Sequence, residues 1–197
     1  MTKSLRPIQL APGHKLRDLI ILAISDIRSQ PLDDLLAHLN RKKDDIANDR
    51  PDIIIYAGDD VVRFRQSNRN YFQELASLAR FGLVGVIGND DGPDARKHFK
   101  GRRVYEVHTQ PVLIGDILII GLEGAPDRKG VAIGSPLYRE AVIAGHLQKT
   151  AGRHTGPIFV VSHAPPYKIL DLALRFGVNN VGSQSLRRFI RADPRVQ

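Results

Sequence analysis

The chain has no cysteine and no tryptophan, and a single methionine among its 197 residues. Without cysteine it can form neither a disulfide nor a thiolate metal centre, and it carries nothing at odds with a reducing compartment. No apolar run approaches the roughly 20 residues that span a bilayer, so no membrane partner is expected. Lys3 and Arg6 are not followed by an apolar stretch, so no secretory signal is expected and the chain reads as cytoplasmic. Internal repeats and low-complexity segments are lacking. So are a phosphate-binding glycine loop and a nucleophile elbow.

What is present is ordinary for a globular protein: 42% hydrophobic and 25% charged residues. This length suits one domain with a sizeable core, taken as 1–197, of which 1–17 (with Pro7, Pro12 and Gly13) is an irregular lead-in. The formal charge is +8, which favours anionic partners: a phosphate ester or other anionic ligand, with nucleic acid possible. Charge does not set the oligomeric state.

Leu19–Ser25 and Asp52–Ala57 read as buried strands, and Leu83–Ile87 as a third. Between them lie helical patterns: Leu32, Leu35, Leu36 and Leu39, running to about Asn48, and then Tyr71, Phe72, Leu75 and Leu78. This alternation implies a parallel sheet with right-handed crossovers. Val104–Val107, Val112–Ile114 and Ile117–Gly121 read as short strands, the last two forming a hairpin through Gly115-Asp116. Residues 123–138 read as loop and about 139–148 as helix. The strand Ile158–Ser162 follows, then two short helices near 168–175 and 183–191.

Four polar residues occupy matching places, each just after a strand: Asp26, Asp59, Asn89 and His163. Open α/β sheets gather ligands beyond the carboxyl ends of their strands. Two carboxylates, an amide oxygen and an imidazole suit Mn²⁺, Fe or Zn²⁺.

The segments Ser25-Asp26-Ile27-Arg28, Gly58-Asp59-Asp60, Gly88-Asn89-Asp90-Asp91 and Val161-Ser162-His163-Ala164-Pro165-Pro166 resemble, in order and strand context, the calcineurin-like metallophosphoesterases. The resemblance implies a four-layer α/β/β/α sandwich and hydrolysis of a phosphate mono- or diester at a two-metal site. It makes Asp59 the bridging ligand, Asp26 a ligand of the first ion, and Asn89 and His163 ligands of the second.

Three departures bear on the chemistry. Arg28 stands where the family has a histidine, and a guanidinium cannot ligate a metal. Paired with Asp26, it could fill the first metal position with its own charge and bind phosphate. Asp90 replaces a histidine that assists the phosphoryl oxygen or leaving group, and is the candidate catalytic residue. The family's closing Gly-His-x-His is missing: Gly145-His146 precedes His163 in a predicted helix and reads as structural. The chain reaches Gln197 about where the last strand is expected and reads as shortened there. The expectation is one divalent ion at most and weak phosphoesterase activity. The alternative is a non-catalytic phosphate- or nucleic-acid-binding module that grips an anion with Arg28 and basic loops. Arg63, Arg65 and Arg69, and the run Arg96–Arg103, read as a solvated basic face or as a lining of the same rim. His14, His38, His108 and His154 read as surface residues, and Asp60 as a loop cap.

Overall fold

The computed structural model describes residues 6–8, 19–27, 31–45, 50–66, 68–127, 136–173 and 179–197. Its main elements in chain order are β1 (Arg6–Ile8), β2 (Ile21–Ile24), α1 (Leu32–Asp45), β3 (Ile53–Tyr56), α2 (Tyr71–Leu78), β4 (Leu83–Gly85), β5 (Val104–Glu106), β6 (Val112–Ile114), β7 (Ile117–Leu122), α3 (Glu140–Ala151), β8 (Ile158–Ser162) and α4 (Gln184–Ala192). They build two four-stranded sheets. The first has the order β2-β3-β4-β5, all parallel, and the second has the order β1-β6-β7-β8. In the second sheet only the β6–β7 hairpin is antiparallel.

Side-chain alternation along the strands fills three apolar layers. Ile54, Tyr56 and Leu83 face α1 and α2. Ile53, Ile55, Val84, Val112, Ile114, Ile119 and Val161 fill the space between the sheets. Leu118, Ile120, Leu122 and Ile158 pack on Ile143, Leu147 and Leu186 of α3 and α4. The result is the α/β/β/α order that the resemblance implies. The first layer holds an aromatic ladder: Phe72 stacks on Phe64 and Phe99 at 4.5 and 4.6 Å, and Tyr56 meets Phe64 edge-on at 4.7 Å.

Helix ends are capped by their own neighbours. Asn70 accepts from Gln73 N (3.2 Å) at the start of α2, and Ser183 accepts from Leu186 N (3.1 Å) at the start of α4. Glu140, opening α3, accepts from Ser183 Oγ, Gln184 N and Ser185 N, which ties the two outer helices together at one end.

The structure departs from the sequence reading at Arg6–Ile8, in β2, near 168–173 and in the expected 123–138 loop, where Ala125–Pro126 pairs parallel with Leu137–Tyr138. Arg6–Ile8, inside the supposed lead-in, is a parallel edge strand beside Val112–Ile114. Its Pro7 hides it from pattern reading, yet an edge strand tolerates a missing N–H. β2 is not buried on both faces: among the described residues it is an edge strand of the first sheet, and Ile20 and Ile21 are each 39% exposed. Nor do the described residues of the expected 168–175 helix, 168–173, form one. Asp171 turns its carboxylate onto the amides of Lys168 (2.8 Å) and Gly182 (3.1 Å), a competition with helical bonding, and Leu172–Ala173 pairs antiparallel with Asn179–Asn180. At the C-terminus, Ile158 N donates to Arg195 O (2.7 Å) and Gln197 N to Ile158 O (3.2 Å), so Val196 lies parallel to the first residue of β8.

Candidate metal centre

The carboxyl ends of β2, β3, β4 and β8 meet at one rim. The registers Ile24↔Tyr56, Tyr56↔Gly85 and Ser162↔Leu122 bring the following loops alongside each other. Asp26 N donates to Gly58 O at 3.3 Å, Gly124 N to Ile87 O at 3.0 Å, and His163 N to Leu122 O at 3.1 Å.

Asp59 and Asn89 each approach His163 there. His163 Nε2 stands 3.0 Å from Asn89 Oδ1 and 3.6 Å from Asp59 Oδ1. His163 Nδ1 lies 2.7 Å from the Ala57 carbonyl, which can only accept, so Nδ1 carries the proton. Asn89 Nδ2 donates to Asp90 Oδ1 (2.7 Å), which turns the amide oxygen toward the imidazole. A neutral His163 therefore points a lone pair at two oxygen lone pairs. Three converging acceptors call for a positive charge among them, either a proton on Nε2 or a cation. Bonds of about 2.1 Å meeting at right angles span about 3.0 Å, the His163–Asn89 separation, so this donor set fits a divalent ion. The histidine also has the outer hydrogen bond that metal-bound imidazoles use to fix their tautomer.

Asp26 sits at the adjoining strand end, with its carboxylate accepting from Ser25 Oγ. Its charge, with that of Asp90, acts on Asp59. Burial is the main force pushing the Asp59 carboxyl above the usual range, opposed by His163 and by the Asp90 amide at 3.1 Å. Among the described residues no three of His, Asp and Glu converge, so the donor set is completed only by the Asn89 amide. Arg28 lies outside the described residues.

The backbone is shaped for this site. Asp26, Asp59 and Asp60 all have positive φ (49, 64 and 59°), a conformation that Asp and Asn tolerate better than most residues. Gly88 admits no side chain, because a Cβ there would stand 1.8 Å from Asp59 Oδ1. Two supports escape the sequence reading. Asp91 is only 5% exposed and accepts from Gly88 N and Val61 N, each at 2.9 Å, clamping the loop that carries Asn89. Burial pushes its carboxyl up, against these amides. Tyr56, wholly buried, donates its hydroxyl to the Asp59 carbonyl. The signal for Asp91 is its place three residues beyond Gly88, where a carboxylate can reach back to the turn's own amides.

A second polar cluster lies behind the loop. Glu123, just past the end of β7 and 1% exposed, takes a two-pronged bond from Arg96 (Nε–Oε2 2.7 Å) and the Tyr138 hydroxyl. His108 Nε2 is 3.5 Å from the same carboxylate, and its ring stacks on His146 at 4.0 Å. His146 Nε2 meets Gly121 O at 2.8 Å. His108 is thus an interior residue, not the surface one the sequence suggests; the β5 exit that buries it has no distinctive pattern. His146 is structural, as read. Burial alone would raise the Glu123 carboxyl, but Arg96, His108 and Tyr138 together hold it below the usual range. Arg96 belongs to the segment that follows Asn89–Asp91, so this pair fastens the Asn89 loop to the second sheet.

A family model described as calcineurin-like phosphoesterase matches residues 19–197. Among solved structures, one with 15% identity aligns over 87% of this chain and 79% of its own, with a TM-score of 0.62. TT1561 of Thermus thermophilus, at 18% identity, aligns over 87% of this chain and 76% of its own, also at 0.62. At these identities the likeness speaks for the fold. No curated protein matches the chain.

Proposed function

The chain belongs to the calcineurin-like phosphoesterases, and from that premise we propose that it hydrolyses a phosphate ester, slowly, using one divalent ion held by Asp59, Asn89 and His163. The observation that carries this reading is the convergence of three lone pairs at His163 Nε2, Asn89 Oδ1 and Asp59 Oδ1. A divalent ion bound there would supply a Lewis acid and a more acidic water at neutral pH.

The rest is the work of the chain's own residues. The Ala57 carbonyl keeps the His163 proton on Nδ1, leaving Nε2 free to ligate. Asp90 acts as a positioning residue, holding the Asn89 amide with its oxygen inward. Asp26 adds a second carboxylate at the rim, and Arg28, two residues on, supplies a cation for the phosphate. Two acidic side chains and one guanidinium give a site for a single ion and an anion, in place of two ions.

Titration with Mn²⁺ should show one bound ion, and His163→Ala should weaken it on the order of 100-fold, at least as much as loss of an outer-shell partner does. Turnover of a generic aryl phosphodiester should fall in parallel. If the unaltered protein neither binds Mn²⁺ nor turns over the ester, the reading fails. Arg28→His should act the other way. It removes a positive charge two residues along the chain from Asp26 and offers a nitrogen donor in its place, so Mn²⁺ affinity should rise roughly tenfold or more. Inorganic phosphate should bind the metal-free unaltered protein more tightly than this variant. Unchanged affinities for both would remove Arg28 from the site.

A further inference from the structure

The loop that follows the His163 segment carries apolar side chains where none is needed for folding. Leu170 is 100% exposed, Leu172 64% and Ile169 47%, and no other large apolar side chain among the described residues is as exposed as Leu170. This is a built feature, not a loose end. Lys168 and Leu170 both adopt positive φ (58 and 51°), unfavourable for a leucine. They are held there by Asp171, 2% exposed, whose carboxylate takes Lys168 N, Gly182 N and Asn180 Nδ2 (2.6 Å), while Val181 N bonds its carbonyl (2.8 Å). With its one carboxylate buried, the stretch from Pro165 to Ala173 shows solvent a single charge, Lys168, beside three apolar side chains and Tyr167.

We propose that residues 168–172 are an apolar tip that docks the protein on an anionic lipid surface. A stable protein–protein interface takes about 1,200 Å² or more, which three convex side chains do not provide. Reversible surface binding needs only a few inserted apolar groups backed by positive charge, and the chain carries +8. The absence of a membrane-crossing helix among the described residues is no obstacle to docking of this kind, which needs no spanning segment. In the chain the tip begins at Lys168, five residues after His163. This inference stands without the phosphoesterase reading, since binding is measured without turnover.

The test is co-sedimentation with vesicles of phosphatidylcholine alone and of phosphatidylcholine doped with phosphatidylglycerol. The unaltered chain should bind the doped vesicles, and bind the neutral ones more weakly. Leu170→Asn removes the apolar group while suiting the positive φ, so vesicle affinity should fall about tenfold with the melting temperature unchanged or raised. Leu172→Ser, at an ordinary backbone position, should weaken binding in the same direction should the first variant misfold. No binding to doped vesicles would overturn the proposal. So would unchanged affinity in both variants, which would place the contact on the general basic surface. A lipid-free dimer that Leu170→Asn dissolves would assign the tip to a second copy of the chain instead.

Discussion

Arg96→Ala should destabilise the fold by about 3–5 kcal/mol, a large share of the total for a domain of this size. The reason lies in what remains, not in what is removed. Glu123 has a side chain with no exposure to water, and its charge is balanced chiefly by the guanidinium. The Tyr138 hydroxyl and His108 stay in place, but neither brings a full positive charge at neutral pH. Urea unfolding with an unchanged slope is the measurement. A double variant, Arg96→Met with Glu123→Leu, should recover much of the loss, because a buried pair exchanged for apolar groups is often nearly neutral. If the double variant is as unstable as the single one, the cost belongs to packing. Arg96→Ala should also weaken Mn²⁺ binding, since Arg96 follows the Asn89 loop.

The second large effect is an acid weakness centred on His108. Its folded pKa is lowered to about 4, first by burial, then by His146 and Arg96, with Glu123 opposing. Around His108 stand those groups, Tyr138, and Glu106, whose carboxylate accepts from His108 N at 2.7 Å. A lowered histidine pKa means that the unfolded chain takes up the proton first. Stability is therefore full above about 6.5 and falls as the pH drops from there toward about 4. At about 1.4 kcal/mol per pH unit, the loss is on the order of 3 kcal/mol. His146, also lowered mainly by burial, adds in the same sense. The raised carboxyl of Glu106 works in the opposite sense, its contribution growing as the pH falls. The clean readout is thus a difference: His108→Gln should flatten the stability slope between about pH 6.5 and 5. A slope equal to that of the unaltered chain would place the acid weakness elsewhere.

Much of the fold is legible in the sequence because its inner strands are short apolar runs that end in turn residues. Ile158–Ser162 can be read to the residue, and Asp52–Ala57 within one residue at each end. Arg6–Ile8 is lost because a three-residue edge strand with a proline has no pattern to see. The expected helix near 168–175 shows the converse over its described residues, 168–173: a periodic Leu/Ile pattern without a core to face. Of the site, the strand-end residues Asp59, Asn89 and His163 are visible as types in places. Asp91 and the Glu123 cluster are not, since a buried charge announces itself only through partners far along the chain. Arg96 meets Glu123 27 residues away, and Val61 meets Asp91 30 away.

The left-handed backbone at Asp26, Asp59 and Asp60 reshapes what counts as a conservative exchange in this lineage. Similarity by charge would pair Asp with Glu, yet a longer side chain loses the local bonding that lets Asp sit at positive φ, at a cost of about 1 kcal/mol or more per position. Similarity by shape pairs Asp with Asn, which keeps the backbone and surrenders the charge. Drift along the rim is thereby channelled: neutral amides can enter these positions without disturbing the fold, whereas an acid lengthened by one carbon meets resistance from the main chain. A protein built on such turns can lose its anionic character step by step and still fold, so its architecture can outlast its chemistry.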